Sequence, residues 1–543
     1  MARTRRRDFL AGAAGAGAAL FSSVPLSAQS ADSTVEVFVD EPIGTISRNI
    51  YGHFTEHIGG VVYDGVWVGE DSKIPNMNGI RKALVEGLQR IKAPVIRWPG
   101  GCFADSYDWK DGVGSPAQRP TRTNFWEVDP DAKRLHEQGV QLFDSNAFGT
   151  NEFIRFCKLS GAEPYLAANL RSLPALDFDH WVEYCNAPAG STTLAKLRAA
   201  AGSREPFNVQ YWGVGNESWG CGGNFRPEDY ATEFRRFTDW VPAFGQDLSF
   251  IAAGPDNNDQ DWTNRFFEQI FAGRHAYHNQ HFRGWSIHHY SRVPNGDALS
   301  FTPKEWYGLL RSGDEMEQII LDTWAVMGEY DRDHRIKLVV DEYGSWHRAG
   351  TEIDPTHIFG QQITIRDAVL TALTLDCFNR HPEKVSMANC AQLVNNLNAL
   401  FLAHQDKFWA TPNFHVFEMY SAHQDGQAVR AAFAAPRISG SITGADEGFW
   451  GLKGSASIKG KVLTITAVNP STEAAREAEI MVRGANVASA DATVLSSQDI
   501  HAHNTFEQQD AVRPREASVK NQGRTLHFTF PAASVTSLKV ELT

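Results

Sequence analysis

Glu217 and Glu342 each close an apolar run flanked by aromatic residues, Tyr211-Trp-Gly-Val-Gly-Asn-Glu217 and Lys337-Leu-Val-Val-Asp-Glu342. An apolar run gains nothing by ending in a carboxylate unless that group faces a polar cavity. Two carboxyls converging on one bond suit glycoside hydrolysis, with retention at a separation of about 5–5.5 Å and inversion at about 6.5–9.5 Å. Retention requires one carboxyl protonated as the acid and the other ionised as the nucleophile. Asn216 offers an amide for a sugar hydroxyl, and Trp219 and Trp346 offer flat faces for sugar C–H surfaces. Other short β-rich runs also end in polar residues: His53, Glu56 and His57; Arg97 through Cys102; Asn169; His288, His289 and Tyr290; Gln392 and Asn395.

These residues need elements that bring strand ends together. Eight β-rich runs recur at 49–54, 94–99, 163–169, 209–216, 248–254, 284–290, 337–342 and 384–392. Amphipathic segments at 79–92, 150–160, 227–241 and 359–379 separate several of them. Strands alternating with helical patterns mean parallel βαβ units, and eight of them predict an α/β fold, a (β/α)8 TIM barrel. Such a barrel carries its chemistry at the C-terminal ends of its strands. The fourth and seventh strands face each other across its mouth, so Glu217 and Glu342 can converge. No GxGxxG follows the first run, which argues against a dinucleotide fold.

From about residue 410 the texture changes to short alternating runs at 427–433, 461–468, 477–482, 492–495, 525–530 and 537–542, set among turn residues. They predict a C-terminal antiparallel β-sandwich domain, which an early alternating run at 34–40 is expected to join. The division is therefore a leader over 1–30, an N-terminal strand over 31–47, a catalytic barrel over 48–409 and a sandwich over 410–543.

With 543 residues, 42% hydrophobic and 21% charged, the chain is of the globular class. A net charge of −13 argues against nucleic acid or an anionic membrane as partner. The first thirty residues read as an export address: a basic start, an Ala/Gly-rich apolar stretch and a small-residue cleavage site near Ala28. Arg6-Arg7-Asp8-Phe9-Leu10 fits the twin-arginine pattern, so a periplasmic or secreted protein is expected. Six cysteines show no CxxC pair and no zinc spacing. His53 and His57 stand four apart and His288 adjoins His289, yet no HExxH helix surrounds them, so no metal and no cofactor is expected.

The chain resembles glycoside hydrolase family 51, the retaining α-L-arabinofuranosidases. The resemblance rests on Ile50-Tyr-Gly-His-Phe-Thr-Glu-His57, Arg97-Trp-Pro-Gly-Gly101, Ser145-Asn-Ala-Phe-Gly-Thr150, Tyr211 through Glu217, Val340-Asp-Glu342, Met387 through Asn395, and His415-Val-Phe-Glu-Met-Tyr420. It implies exo-acting double displacement that releases terminal α-L-arabinofuranosyl residues from hemicellulose or pectin side chains. Glu217 would be the general acid/base and Glu342 the nucleophile. Glu56, Arg97, Asn216 and Gln392 would hydrogen-bond the furanose. His288 and Tyr290 would order nucleophile and sugar, and Trp346 would wall the pocket. The family's homo-oligomers, often hexamers, are implied as well.

Two departures bear on the site. Cys102 stands where many members have a sugar-contacting Asn, and a thiol donates only weakly. Tyr343-Gly-Ser-Trp346 replaces a commoner Trp-Asn run on the leaving-group side. The resemblance extends to a branch that also carries a cysteine like Cys221, which leaves a Cys102–Cys221 bridge open. Two rival functions share the pattern: an endo-β-glucanase or xylanase on the same two-Glu barrel, and a non-catalytic glycan-binding protein. The second would be expected to have lost one of the glutamates.

Overall fold

The computed structural model describes residues 31–271 and 276–543, so the export address lies outside the described residues. Gly52–Phe54, Val95–Trp98, Glu163–Ala168, Tyr211–Val214, Ser249–Ala252, Phe282–Ser291, Lys337–Ser345 and Val385–Ala391 form a closed barrel in chain order. Every neighbouring pair is parallel. Each of the eight β-rich runs supplies one strand. Among the described residues, no helix is long and apolar enough to cross a membrane.

Side chains alternate in direction along a strand, and here the alternation separates two cores. Val95, Tyr165, Ile251, Val339 and Met387 form a plug inside the barrel. Their neighbours Ile96, Leu166, Phe250, Leu338 and Ala388 belong to the larger core outside it, with the surrounding helices. Counting on by two from Val95 sends Arg97 inward, above the plug, and counting on from Val339 does the same for Asp341. Strand seven then breaks the count: Ile287 pairs with Val340 but His288 pairs with Glu342, a register shift of one residue. Such a bulge re-aims a side chain. It sets Glu342 beside His288 while Asp341 stays inside the barrel, accepting from Tyr165 Oη at 2.9 Å and Asn389 Nδ2 at 3.1 Å.

The expected helix over 359–379 begins later, at Ile365, and runs to Arg380. Thr364 and Asp367 form a capping box there, which frees 346–363 to be the loop that walls the site. The C-terminal strands form one ten-stranded sheet. Ser33–Thr45 lies inside it, antiparallel to Gln427–Ala434 and parallel to Arg476–Arg483, so the sheet is not wholly antiparallel. It curls until Val487–Ser496 meets Lys520–Gln522 from its other end, enclosing Val35, Ile465, Ile480, Phe528 and Leu538. The Ile365–Arg380 helix is buried along nearly all its length between barrel and sheet.

Candidate active site

The first, second, fourth, sixth, seventh and eighth strands deliver their ends to one pocket of ≈ 450 Å³, lined by Glu56, Cys102, Asn216, Glu217, Tyr290, Glu342, Trp346 and Gln392. Ile58, Trp126, Asp129, Pro130, Asp131, Phe359 and Leu397, from the segments that connect the strands, complete its wall. A larger concavity of ≈ 1000 Å³ lies on the ten-stranded sheet, but none of the strand-end residues reaches it.

Glu342 is buried, and both its oxygens are held: Oε1 by Arg97 Nη1 at 2.8 Å and Oε2 by the Tyr290 hydroxyl at 2.7 Å. Burial alone would raise its pKa. The charges of His288 and Arg97 and the two hydrogen bonds outweigh that and hold the carboxyl below its ordinary range. Arg97 is fully buried, stacks over Phe54 and gives Nη2 to Asn216 Oδ1 at 2.7 Å. One guanidinium thus ties the nucleophile candidate to the residue before Glu217.

Glu217 is more open, with a fifth of its side chain exposed. His288 bridges the two carboxyls through Nδ1, 3.1 Å from Glu217 Oε1 and 3.7 Å from Glu342 Oε2. Burial would lower the imidazole's pKa, but the carboxylates at Glu342 and Glu217 raise it instead. Through these groups, an oxygen of Glu217 comes within 4.8 Å of one of Glu342.

The backbone at Glu217 is left-handed, with φ of +38°, an uncommon conformation for a non-glycine residue. Its carbonyl accepts from Gly220 N and Gly222 N, and Asp105 Oδ2 accepts from Asn216 N at 3.0 Å. A Cβ on Gly222 would lie 1.7 Å from Asn216 O, so only glycine closes this turn. The paired glycines after Arg97-Trp-Pro act likewise. A Cβ on Gly100 would meet Glu56 Cγ at 2.6 Å, and one on Gly101 would meet Glu342 Oε1 at 2.7 Å.

Cys102 and Cys221 are joined in a disulfide, and their sulfurs lie 3.7 and 3.5 Å from Glu217 Oε2. A bridged sulfur has no hydrogen to donate, so Cys102 is not a weak thiol donor to the sugar. It packs apolar sulfur against the Glu217 carboxyl. Glu56 accepts from Gly101 N, Phe103 N and Gln392 Nε2 at 2.9–3.1 Å. Burial first and the Glu342 charge second push its pKa up to about 8.

Two α-L-arabinofuranosidase family models match the chain, the arabinofuranosidase 1 domain over residues 87–295 and the arabinofuranosidase C-terminal domain over 341–534. The intracellular exo-α-L-arabinofuranosidase of Bacteroides ovatus is 32% identical, over 96% of this chain and 98% of that protein. The solved GH51 arabinofuranosidase of Xanthomonas axonopodis pv. citri is 36% identical and superposes with a TM-score of 0.86, over 94% of this chain and all of that one. The chain belongs to glycoside hydrolase family 51. The intracellular exo-α-(1→5)-L-arabinofuranosidase 1 of Bacillus subtilis is a further relative, 28% identical over 92% of this chain and 97% of that protein. A bifunctional glucanase-xylanase from a metagenome library, at 12% identity and a TM-score of 0.59, shares the fold alone.

Within this family 51 site the structure brings together Glu56, Arg97, Cys102, Asn216, Glu217, His288, Tyr290, Glu342, Trp346 and Gln392. Other strand-end residues go elsewhere. His53 is buried against Phe417 with neither ring nitrogen hydrogen-bonded, and burial lowers its pKa to about 3. His57 bonds Asp144 and Trp98, and Asn169 bonds the Tyr107 carbonyl. Asn395 braces the loop at Gly60, and Trp219 packs on the barrel core outside the pocket.

Sequence reasoning missed Asp105, which is fully buried and accepts from the backbone of Leu170, Arg171 and Asn216. An acid three residues past the strand-two motif was the available signal. Phe359 was missed as well, because it was read as helix; it packs against Trp346 at 5.0 Å.

Proposed function

We propose that the protein is an exo-acting, retaining α-L-arabinofuranosidase in which Glu217 is the acid/base and Glu342 the nucleophile. The approach of the two carboxyls to within 4.8 Å carries this reading, since retention suits near and inversion suits distant carboxyls. In the first step Glu342, kept ionised by Arg97, Tyr290 and His288, attacks the anomeric carbon while Glu217 protonates the departing oxygen. A glycosyl ester on Glu342 results. In the second step Glu217 takes a proton from water, which displaces Glu342 and restores the starting anomeric configuration. Glu56, Asn216 and Gln392 hold the furanose hydroxyls, Trp346 walls it, and Cys102 contributes an apolar surface. A walled pocket of ≈ 450 Å³ favours one terminal sugar over the interior of a chain. The substrates in this reading are arabinose-bearing hemicellulose or pectin side chains.

Initial rates on 4-nitrophenyl α-L-arabinofuranoside, β-xyloside and β-glucoside test it. Turnover of the furanoside alone, abolished by Glu342→Ala, is the expected result. Activity confined to a β-pyranoside would sink the sugar assignment, and an inverted first product would sink the nucleophile.

The rest of the reading concerns location and organisation. Export rests on the Arg6-Arg7-Asp8-Phe9-Leu10 pattern and on the Cys102–Cys221 disulfide, a bond that persists in oxidising compartments. Two relatives bear names that include "intracellular", so the test is direct: recovery from a periplasmic extract, lost on Arg6→Lys/Arg7→Lys, against retention in the cytosol. The division into leader, N-terminal strand, barrel to residue 409 and sandwich from 410 belongs to the same proposal. So does a homo-oligomer, read by light scattering.

A further inference from the structure

Behind the wall of the pocket, three loops meet at a group of side chains that the hydrolysis does not use. Asp64 comes from the loop after the first barrel strand, His357 from the loop after the seventh, and His404 from the Phe401–His404/Lys407–Ala410 hairpin after the eighth. One ligand-capable atom from each lies within 4.8 Å of the others. Asp64 Oδ2 is 3.6 Å from His357 Nε2 and 3.4 Å from His404 Nδ1, and Asp354 Oδ2 is 3.9 Å from His404 Nδ1.

The two Asp64–histidine contacts, at 3.4 and 3.6 Å, are close to the spacing of ligands around one ion. Metal–ligand distances of about 2.0–2.1 Å place tetrahedral ligands about 3.3–3.4 Å apart. A direct imidazole–carboxylate hydrogen bond would be shorter, as His57 and Asp144 show at 2.6 Å. His404 Nδ1 is buried between two carboxylates yet hydrogen-bonds to neither. The imidazole of His357 is 94% buried and makes no hydrogen bond among the described residues.

The carboxylates are oriented for the same task. Asp64 Oδ1 is held by Gln405 N at 2.8 Å and by Arg81 Nη2 at 3.5 Å, which leaves Oδ2 turned to the histidines. Asp354 Oδ1 is held by Thr356 N and Oγ1, which leaves its Oδ2 toward His404. Outer contacts that fix each ligand's orientation are the usual second layer of a metal site.

We propose that Asp64, His357 and His404 bind one divalent d-block cation of the zinc kind, with solvent completing its coordination, which pins three loops behind the pocket. Two imidazoles and one carboxylate suit zinc over magnesium or calcium. The site is structural. His357 immediately precedes Ile358 and Phe359; Asn396 Nδ2 bonds the Ile358 carbonyl and Leu397 N bonds the Phe359 carbonyl. Fixing His357 therefore fixes the wall formed by Phe359 and Leu397. The sequence reading passed over this site because Asp64, His357 and His404 lie 47 to 340 residues apart instead of at a motif spacing.

The test is zinc binding to the full-length protein after chelation, read by calorimetry and elemental analysis. The expected result is about one zinc per chain, with a melting temperature that rises with zinc. Affinity should fall at least about 10-fold in His357→Gln and in His404→Gln and stay unchanged in Glu342→Gln, which separates this site from the carboxylates of the pocket. No zinc above background, equal binding by the histidine variants, or loss only in Glu342→Gln would each overturn the proposal. If the histidine variants do not fold, cobalt(II) added to the chelated wild type decides: intense tetrahedral visible bands support the site, and weak octahedral bands overturn it.

Discussion

Glu56 shows how one side chain's surroundings set its role. Its Oε1 accepts two backbone N–H groups, yet burial and the Glu342 charge still carry its pKa to about 8. At neutral pH it is mainly the uncharged acid, able to donate from Oε2 to Gln392 or to a sugar hydroxyl. Gln392 Oε1 is buried without a partner and would accept that proton if the amide were turned. The linkage sign follows from a folded-state pKa above the unfolded one. Stability from this group is complete below about pH 4.5 and is lost as pH rises through about 8. Glu56→Gln, which mimics the neutral acid, is expected to flatten that part of the Tm–pH curve. A variant curve parallel to the wild type would refute the assignment. At the same scale, Glu217→Ala should slow substrates with poor leaving groups far more than activated ones, with partial rescue by azide. Equal losses on both kinds of substrate would remove Glu217 from the acid role.

At the scale of elements, the position of Glu217, the proposed acid/base, is made by a turn rather than a strand. Strand four ends at Val214, and Glu217 hangs beyond it in a left-handed conformation fixed by Asp105, Gly222 and the Cys102–Cys221 bridge. Asp105 is a positioning residue, because it holds Asn216 N and does not line the pocket. Asp105→Ala is expected to lower kcat by about 10²-fold, the cost of an ångström-scale misplacement. KM should change little, and poor leaving groups should suffer most; an equal loss on all substrates would make Asp105 merely structural. The bridge has its own readout. Alkylation of the denatured, unreduced protein should label four thiols, Cys157, Cys185, Cys377 and Cys390, and reduction should raise that to six. The strand ends were legible in the sequence because period-two runs stop where polar residues begin. The bulge at Asp341, the Asp105 turn and the Phe359 wall were not, since each depends on contacts across the barrel mouth that no local pattern encodes.

At the scale of the whole molecule, barrel and sheet are joined through a buried polar hub that the sequence did not reveal. Its members come from distant segments with no shared local pattern, whereas the alternation at 34–40 did announce that Ser33–Thr45 joins strands some 400 residues later. Asp376, inside the Ile365–Arg380 helix, accepts from Ser455 at 2.6 Å and Thr466 at 2.5 Å in the sheet, and from Tyr420 at 2.9 Å in the connecting helix. Burial raises its pKa to about 6 against the pull of these hydroxyls, so at neutral pH the ionised carboxylate takes all three bonds. Asp376→Ala strips the acceptor from three buried hydroxyls at once. Ser455 and Thr466 can turn to each other and to His423 Nε2, both at 3.1 Å, whereas the Tyr420 hydroxyl is left unsatisfied. A buried donor in that state costs about 1–3 kcal/mol, which sets the expected loss. The pocket lies at the far end of the barrel strands, and none of its lining residues touches the hub. Asp376→Ala should therefore lower Tm by several degrees while the folded enzyme keeps kcat/KM on the furanoside within about two-fold. A loss of activity matching the loss of stability would mean that the ten-stranded sheet holds the barrel mouth in shape as well as covering its flank.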